Sequence, residues 1–80
     1  VCLSKRIKEL EEMVEILCIA LAREKNSVHY YTEIYQKAAT ERAQRMISTL
    51  LEEEKRHVIN IKNHINELQS IIDAERKKLK

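Results

Sequence analysis

Eighty residues with a formal net charge of +2 bound the chain to one small domain. The basic residues are spread rather than clustered, so no nucleic-acid partner is expected. No apolar run reaches the length of a membrane span and nothing reads as a signal peptide, so no membrane partner is expected either.

Glycine and proline are both absent and 35% of the residues are charged. Those two residues punctuate most turns, so their absence predicts long helices and very few turns. A chain this short buries little apolar surface alone and commonly draws on a metal, disulfides or a further copy. From Leu3 onward apolar residues recur at sevenfold spacing. One row is Ile7, Val14, Leu21, Val28 and Tyr35; its neighbour is Leu10, Leu17, Glu24, Tyr31 and Ala38. This pattern predicts a first amphipathic helix over about 4–38. Within it Cys18 reads as a small buried hydrophobe. It cannot be stapled to Cys2 within one helix, because sixteen residues of helix span about 24 Å. Two free thiols without a C-x-x-C pair fit a reducing compartment and exclude a rubredoxin-type centre.

The break falls in "KAATE", with the turn at about 39–40 and Thr40 as N-cap of a second helix over about 41–78. Its rows are Ile47, Glu54, Ile61, Leu68 and Leu50, His57, His64, Ile71, widened by Leu51, Val58, Ile65 and Ile72. The basic tail "ERKKLK" reads as a frayed, solvated helix end whose charge complements the helix dipole. The expected fold is all-α: one domain over 1–80, an antiparallel two-helix hairpin.

Glu24, Glu54 and His57 each interrupt an apolar row that is expected to be buried. A lone carboxylate in a bundle seam is costly unless it is paired or bound to metal. Glu24 lies 16 residues before Thr40, and Glu54 and His57 lie 14 and 17 after it. All three therefore fall at one height, roughly 24 Å from the turn. Carboxylate oxygen and imidazole nitrogen suit iron, manganese or zinc. One chain supplies Glu, Glu and His, too few ligands for a closed two-metal site. Two copies about a twofold axis supply four glutamates and two histidines, the set of a carboxylate-bridged di-iron bundle. The competing readings are Glu24 as a partly exposed seam residue paired to a lysine, and His57 as a hydrogen-bonded core histidine without metal. His64 reads as structural or rim-exposed. His29, Glu41, Glu52 and Glu53 read as surface groups.

"AREKNSVHYY" followed by "LLEEEKRH" resembles the rubrerythrin branch of the ferritin-like superfamily over roughly residues 13–68. The family pattern is an acid, an aromatic pair ending in Tyr seven residues on, then Glu-x-x-His. Glu24, Tyr30-Tyr31, Glu54 and His57 fit it in order and spacing. Most members carry two helix pairs in one chain. A single pair is similar to the encapsulated ferritins, hairpins that dimerise to build a ferroxidase site inside encapsulin shells. The resemblance implies a hairpin that dimerises into a ferritin-like four-helix bundle and oxidises ferrous iron for storage or detoxification. It implies iron on Glu24, Glu54 and His57, with Tyr31 near a ligand carboxylate, and zinc, manganese or calcium as substitutes. The implied partners are a second copy, or a larger homo-oligomer, and an encapsulin shell in the cytoplasm. The encapsulated ferritins usually carry a C-terminal docking peptide, whereas this sequence ends at "ERKKLK". Two other readings stay open: peroxide reduction at the same centre with a separate electron donor, and a non-catalytic hairpin for dimerisation or partner binding.

Overall fold

The computed structural model describes residues 2–79, and side chains from Ser4 to Leu79. Two helices account for nearly all of it: α1, Cys2–Lys37, and α2, Glu41–Lys78. No strand occurs among the described residues. The Cys2 side chain, and with it any pairing of that thiol, lies outside the described part. The sequence-expected first helix begins two residues early and stops one residue short of its bound; the second agrees.

Composition explains the helix lengths. Leu, Glu, Lys, Arg and Ala carry almost no helical penalty, and no glycine or proline interrupts either run. Helix α1 closes at Ala38, whose N–H donates to the Tyr35 carbonyl at 3.4 Å. Thr40 then takes an extended conformation (φ −122°, ψ 151°) and its side chain accepts from the Ala43 N–H at 3.1 Å. That bond satisfies one of the four unpartnered amides of the α2 N-terminus. Glu41 in the first turn and Arg76, Lys77 and Lys78 in the last turn complement the α2 dipole.

The helices lie side by side and run in opposite directions. Glu11 pairs with Arg76 at 2.6 Å and Arg6 with Glu75 at 3.7 Å near one end, while residues 38–40 join them at the other. The result is a rod of 60 × 14 × 13 Å with a radius of gyration of 18.1 Å. A compact 80-residue domain would have a radius of about 12 Å.

Burial is sparse and concentrated towards the ends. Among the described residues the buried hydrophobics are Ile7, Ile47 and Ile72, and Glu75 is the buried polar residue. The middle of the contact, including Leu17, Leu21, Leu51, Val58 and Ile61, is only half-buried. Two helices touch along one seam, so each covers a single side of the other.

Two expectations are corrected here. Cys18 is exposed, because its place on α1 lies one step beyond the seam. The basic tail is not wholly a frayed, solvated end: α2 runs to Lys78, Glu75 is only 8% exposed, and Arg76 reaches across to Glu11.

Candidate metal centre

Glu24 enters from α1, and Glu54 and His57 enter from successive turns of α2. Their side chains converge. His57 Nδ1 lies 3.7 Å from Glu24 Oε2 and 3.7 Å from Glu54 Oε2. The three ligand atoms all lie within 4.8 Å of one another. This is the cluster that the heights above the turn predict, and it forms because residues about 16 from the turn on either strand fall level.

The contacts at 3.7 Å are too long for hydrogen bonds. Both Oε2 atoms are fully buried and have no hydrogen-bond partner. Native structures seldom leave such atoms unsatisfied without a reason, such as an ion or a functional role. Ligands around one ion at 2.0–2.2 Å are separated from each other by about 3–4 Å, so the observed spacing fits a bound cation. The donor chemistry agrees, since two carboxylate oxygens and an imidazole suit iron, manganese or zinc.

Electrostatics point the same way. Hydrogen bonding with Glu24 is the main cause that raises the Glu54 pKa above its ordinary 4.5. Burial and repulsion from the Glu24 charge add to it, and His57 opposes it. The two carboxyls satisfy each other only when they share a proton. A cation would take over that role.

The exposures separate the three residues. The side chains of Glu24 and Glu54 are 28% and 21% exposed, but that of His57 is 53% exposed. The expectation that His57 interrupts a buried row is therefore corrected: Leu50, His64 and Ile71 in the same row are also exposed. This row lies at the edge of the seam, on the side where no second helix covers it. Glu24 faces His57 rather than a lysine.

Tyr31 is half-buried on α1, seven residues beyond Glu24, and packs edge-on against Tyr30, ring centres 5.6 Å apart. No hydrogen bond joins the Tyr31 hydroxyl to Glu24 or Glu54 among the described residues. The groups expected at the surface are there. Glu41, Glu52 and Glu53 are exposed, His29 pairs with Glu33 at 3.0 Å, and exposed His64 lies 3.9 Å from Glu67. A shallow apolar groove of about 340 Å³, lined by Lys25, Val28, Lys55, Val58 and Ile59, contains none of the cluster residues.

The buried carboxylate that sequence reasoning missed is Glu75. It extends the row Ile47, Glu54, Ile61, Leu68 by one further heptad, which was the available signal. Arg6 and Lys78 reach its Oε1 at 3.7 and 3.5 Å. With two cations already beside it, Glu75 is satisfied by the chain itself and offers no open ligand position.

No helix among the described residues is long and apolar enough to cross a membrane. Compared with protein-family models, with curated proteins and with solved structures, the chain finds no match.

Proposed function

We propose that the chain is half of a ferritin-like di-iron centre that oxidises ferrous iron. Two hairpins would associate into a four-helix bundle and bring two Glu24/Glu54/His57 sets together about a twofold axis. The observation that carries this reading is the pair of buried, unpartnered Oε2 atoms aimed with His57 Nδ1 at one region. Two further features support it. The half-buried seam and the exposed apolar groups Met13, Leu50 and Ile71 leave a surface that a second copy would cover. Four carboxylates would also balance the charge of two ferrous ions.

Ferrous iron is the substrate, and each ion bound there would give up one electron to oxygen or peroxide. Glu24 and Glu54 would hold the ions through their buried carboxylate oxygens. His57 would offer its Nδ1, which already faces both carboxylates. The half-buried setting would keep the ligand oxygens from being hydrated and so preserve their affinity.

The test is the initial rate of ferric absorbance after anaerobic loading with ferrous iron and mixing with oxygen. Glu54→Ala or His57→Ala should lower that rate at least tenfold. Glu53→Ala should leave it within about twofold, because one helical step of about 100° turns Glu53 away from the cluster. Circular dichroism on the same samples checks helicity. Equal rates in all four proteins would leave the reading as a non-catalytic hairpin.

A further inference from the structure

The metal cluster uses one flank of the seam, and the apolar groove lies on the other. On α2 the rows of His57, Glu54 and Val58 follow one another around the helix, so His57 and Val58 stand about 100° apart with Glu54 between them. Glu24 and His57 meet on the first flank. Lys25, Val28, Lys55, Val58 and Ile59 line the groove on the second. A second copy laid over the His57 side would leave the groove open.

Lys25 lies 15 residues before Thr40 and Lys55 lies 15 after it, so the two stand level across the groove, roughly 22 Å from the turn. Both are exposed; their aliphatic stems extend the apolar walls while the ammonium groups stay in water. Val28 lies about 5 Å nearer the turn and Ile59 about 6 Å further from it, so the floor is about 10 Å long. Ile59 is 57% exposed, so packing within the hairpin does not account for it. Lys55 lies 3.6 Å from Glu52, whereas Lys25 makes no ion pair among the described residues. Two ammonium groups and one carboxylate leave the rim with a single uncompensated positive charge.

We infer that the groove binds a small apolar monocarboxylate, an acyl chain of medium length. Its carboxylate sits between Lys25 and Lys55 and its chain covers Val58 and Ile59. This binding is separate from the metal cluster and does not depend on it. One acid group matches the one uncompensated charge, and the two lysines select it while burial of the chain drives binding. The volume of about 340 Å³ falls at the lower end of the range for small-molecule sites, roughly 300–1,000 Å³. The apolar floor is also short. His29 on α1 and Glu52 and Lys62 on α2, the next positions on this flank, are exposed and polar. A docked protein would need about 1,000 Å² or more of interface, most of it over such charged positions.

The test is a titration of the full, metal-free chain, labelled with nitrogen-15, with sodium octanoate, followed by amide shifts in NMR spectra. Binding should saturate with a dissociation constant of about 1 mM, as expected of so small a ligand on an open surface. The largest shifts should fall at Lys25, Val28, Val58 and Ile59. Octanol, which lacks the charge, and acetate, which lacks the chain, should each bind at least about threefold more weakly. Lys25→Glu and Ile59→Asp change exposed groups, so the fold should persist by circular dichroism, and each should weaken octanoate by at least about threefold. Lys62→Glu, outside the groove, should change it less than about twofold. Equal binding of octanol, or shifts spread evenly over Met13, Ile16 and Met46, would overturn the inference as unselective adhesion to apolar surface. A peptide of alternating leucine and glutamate that binds the same amides at least about tenfold more tightly would overturn it in favour of an acidic protein partner.

Discussion

The Glu54 carboxyl binds its proton more tightly in the folded chain than an ordinary glutamate does, because Glu24 shares that proton and the surroundings are partly dry. Its contribution to stability is therefore complete below the ordinary 4.5 and falls away as pH rises through the raised value. Glu54→Gln carries a permanently neutral group of the same shape. Without metal, the variant should melt above the wild type at neutral pH, and the gap should close as the pH falls towards about 4.5. Thermal melts at several pH values check this, and a gap independent of pH would contradict it. The Glu24, Glu54 and His57 cluster was legible in the sequence, since a heptad row and a distance from the turn suffice to locate a residue on an isolated pair of helices. The exposure of His57 and Cys18 was not. Row membership does not say how much of a face one neighbouring helix covers, and here it covers only part.

At the level of the elements, stability rests on few residues. Ile72 is 1% exposed, whereas Ile59 is 57% exposed on the same helix. Ile72→Ala should cost about 3 kcal/mol through lost burial and a residual cavity. Ile59→Ala should change stability by less than about 0.5 kcal/mol. Urea titrations with a common slope compare the two. A similar small loss at both would mean that the open end is loosely packed. The helix bounds were readable because the apolar stripe is weakest at residues 37–41, where Thr40 can cap the helix that follows. The ionic contacts of Glu75 and Arg76 with α1 were not readable. A charged helix end looks the same in sequence whether it meets solvent or a partner, and only the register between the helices tells them apart.

The whole molecule is a rod with three well-buried hydrophobic side chains among its described residues, Ile7, Ile47 and Ile72. So little core should leave the isolated chain marginal. Metal that binds the folded assembly and not the unfolded chain raises stability by mass action. Zinc or ferrous iron at a hundred times its dissociation constant should add about 2.7 kcal/mol, visible as a higher melting temperature. The increment should shrink as pH falls, because protons compete with a metal for its ligands. Scanning fluorimetry or calorimetry at two pH values, with light scattering on the same samples, follows both quantities. An unchanged melting temperature under saturating metal would remove the metal from the account of this cluster.

The three-residue connection at 38–40 also sets the order in which contacts form. Closing a short loop costs little entropy, so pairing nearest the turn comes first and later contacts close like a zip. Ile47, six residues into α2, belongs to the first contacts; Ile72, with the Arg6–Glu75 clasp, belongs to the last. The like-charged carboxylates of Glu24 and Glu54 meet halfway, where they form a small electrostatic obstacle to zipping. Truncating Ile47 should therefore slow refolding, whereas truncating Ile72 should mainly speed unfolding. Stopped-flow folding arms for Ile47→Val and Ile72→Val, compared at equal protein concentration, distinguish this order from zipping that begins at the open end.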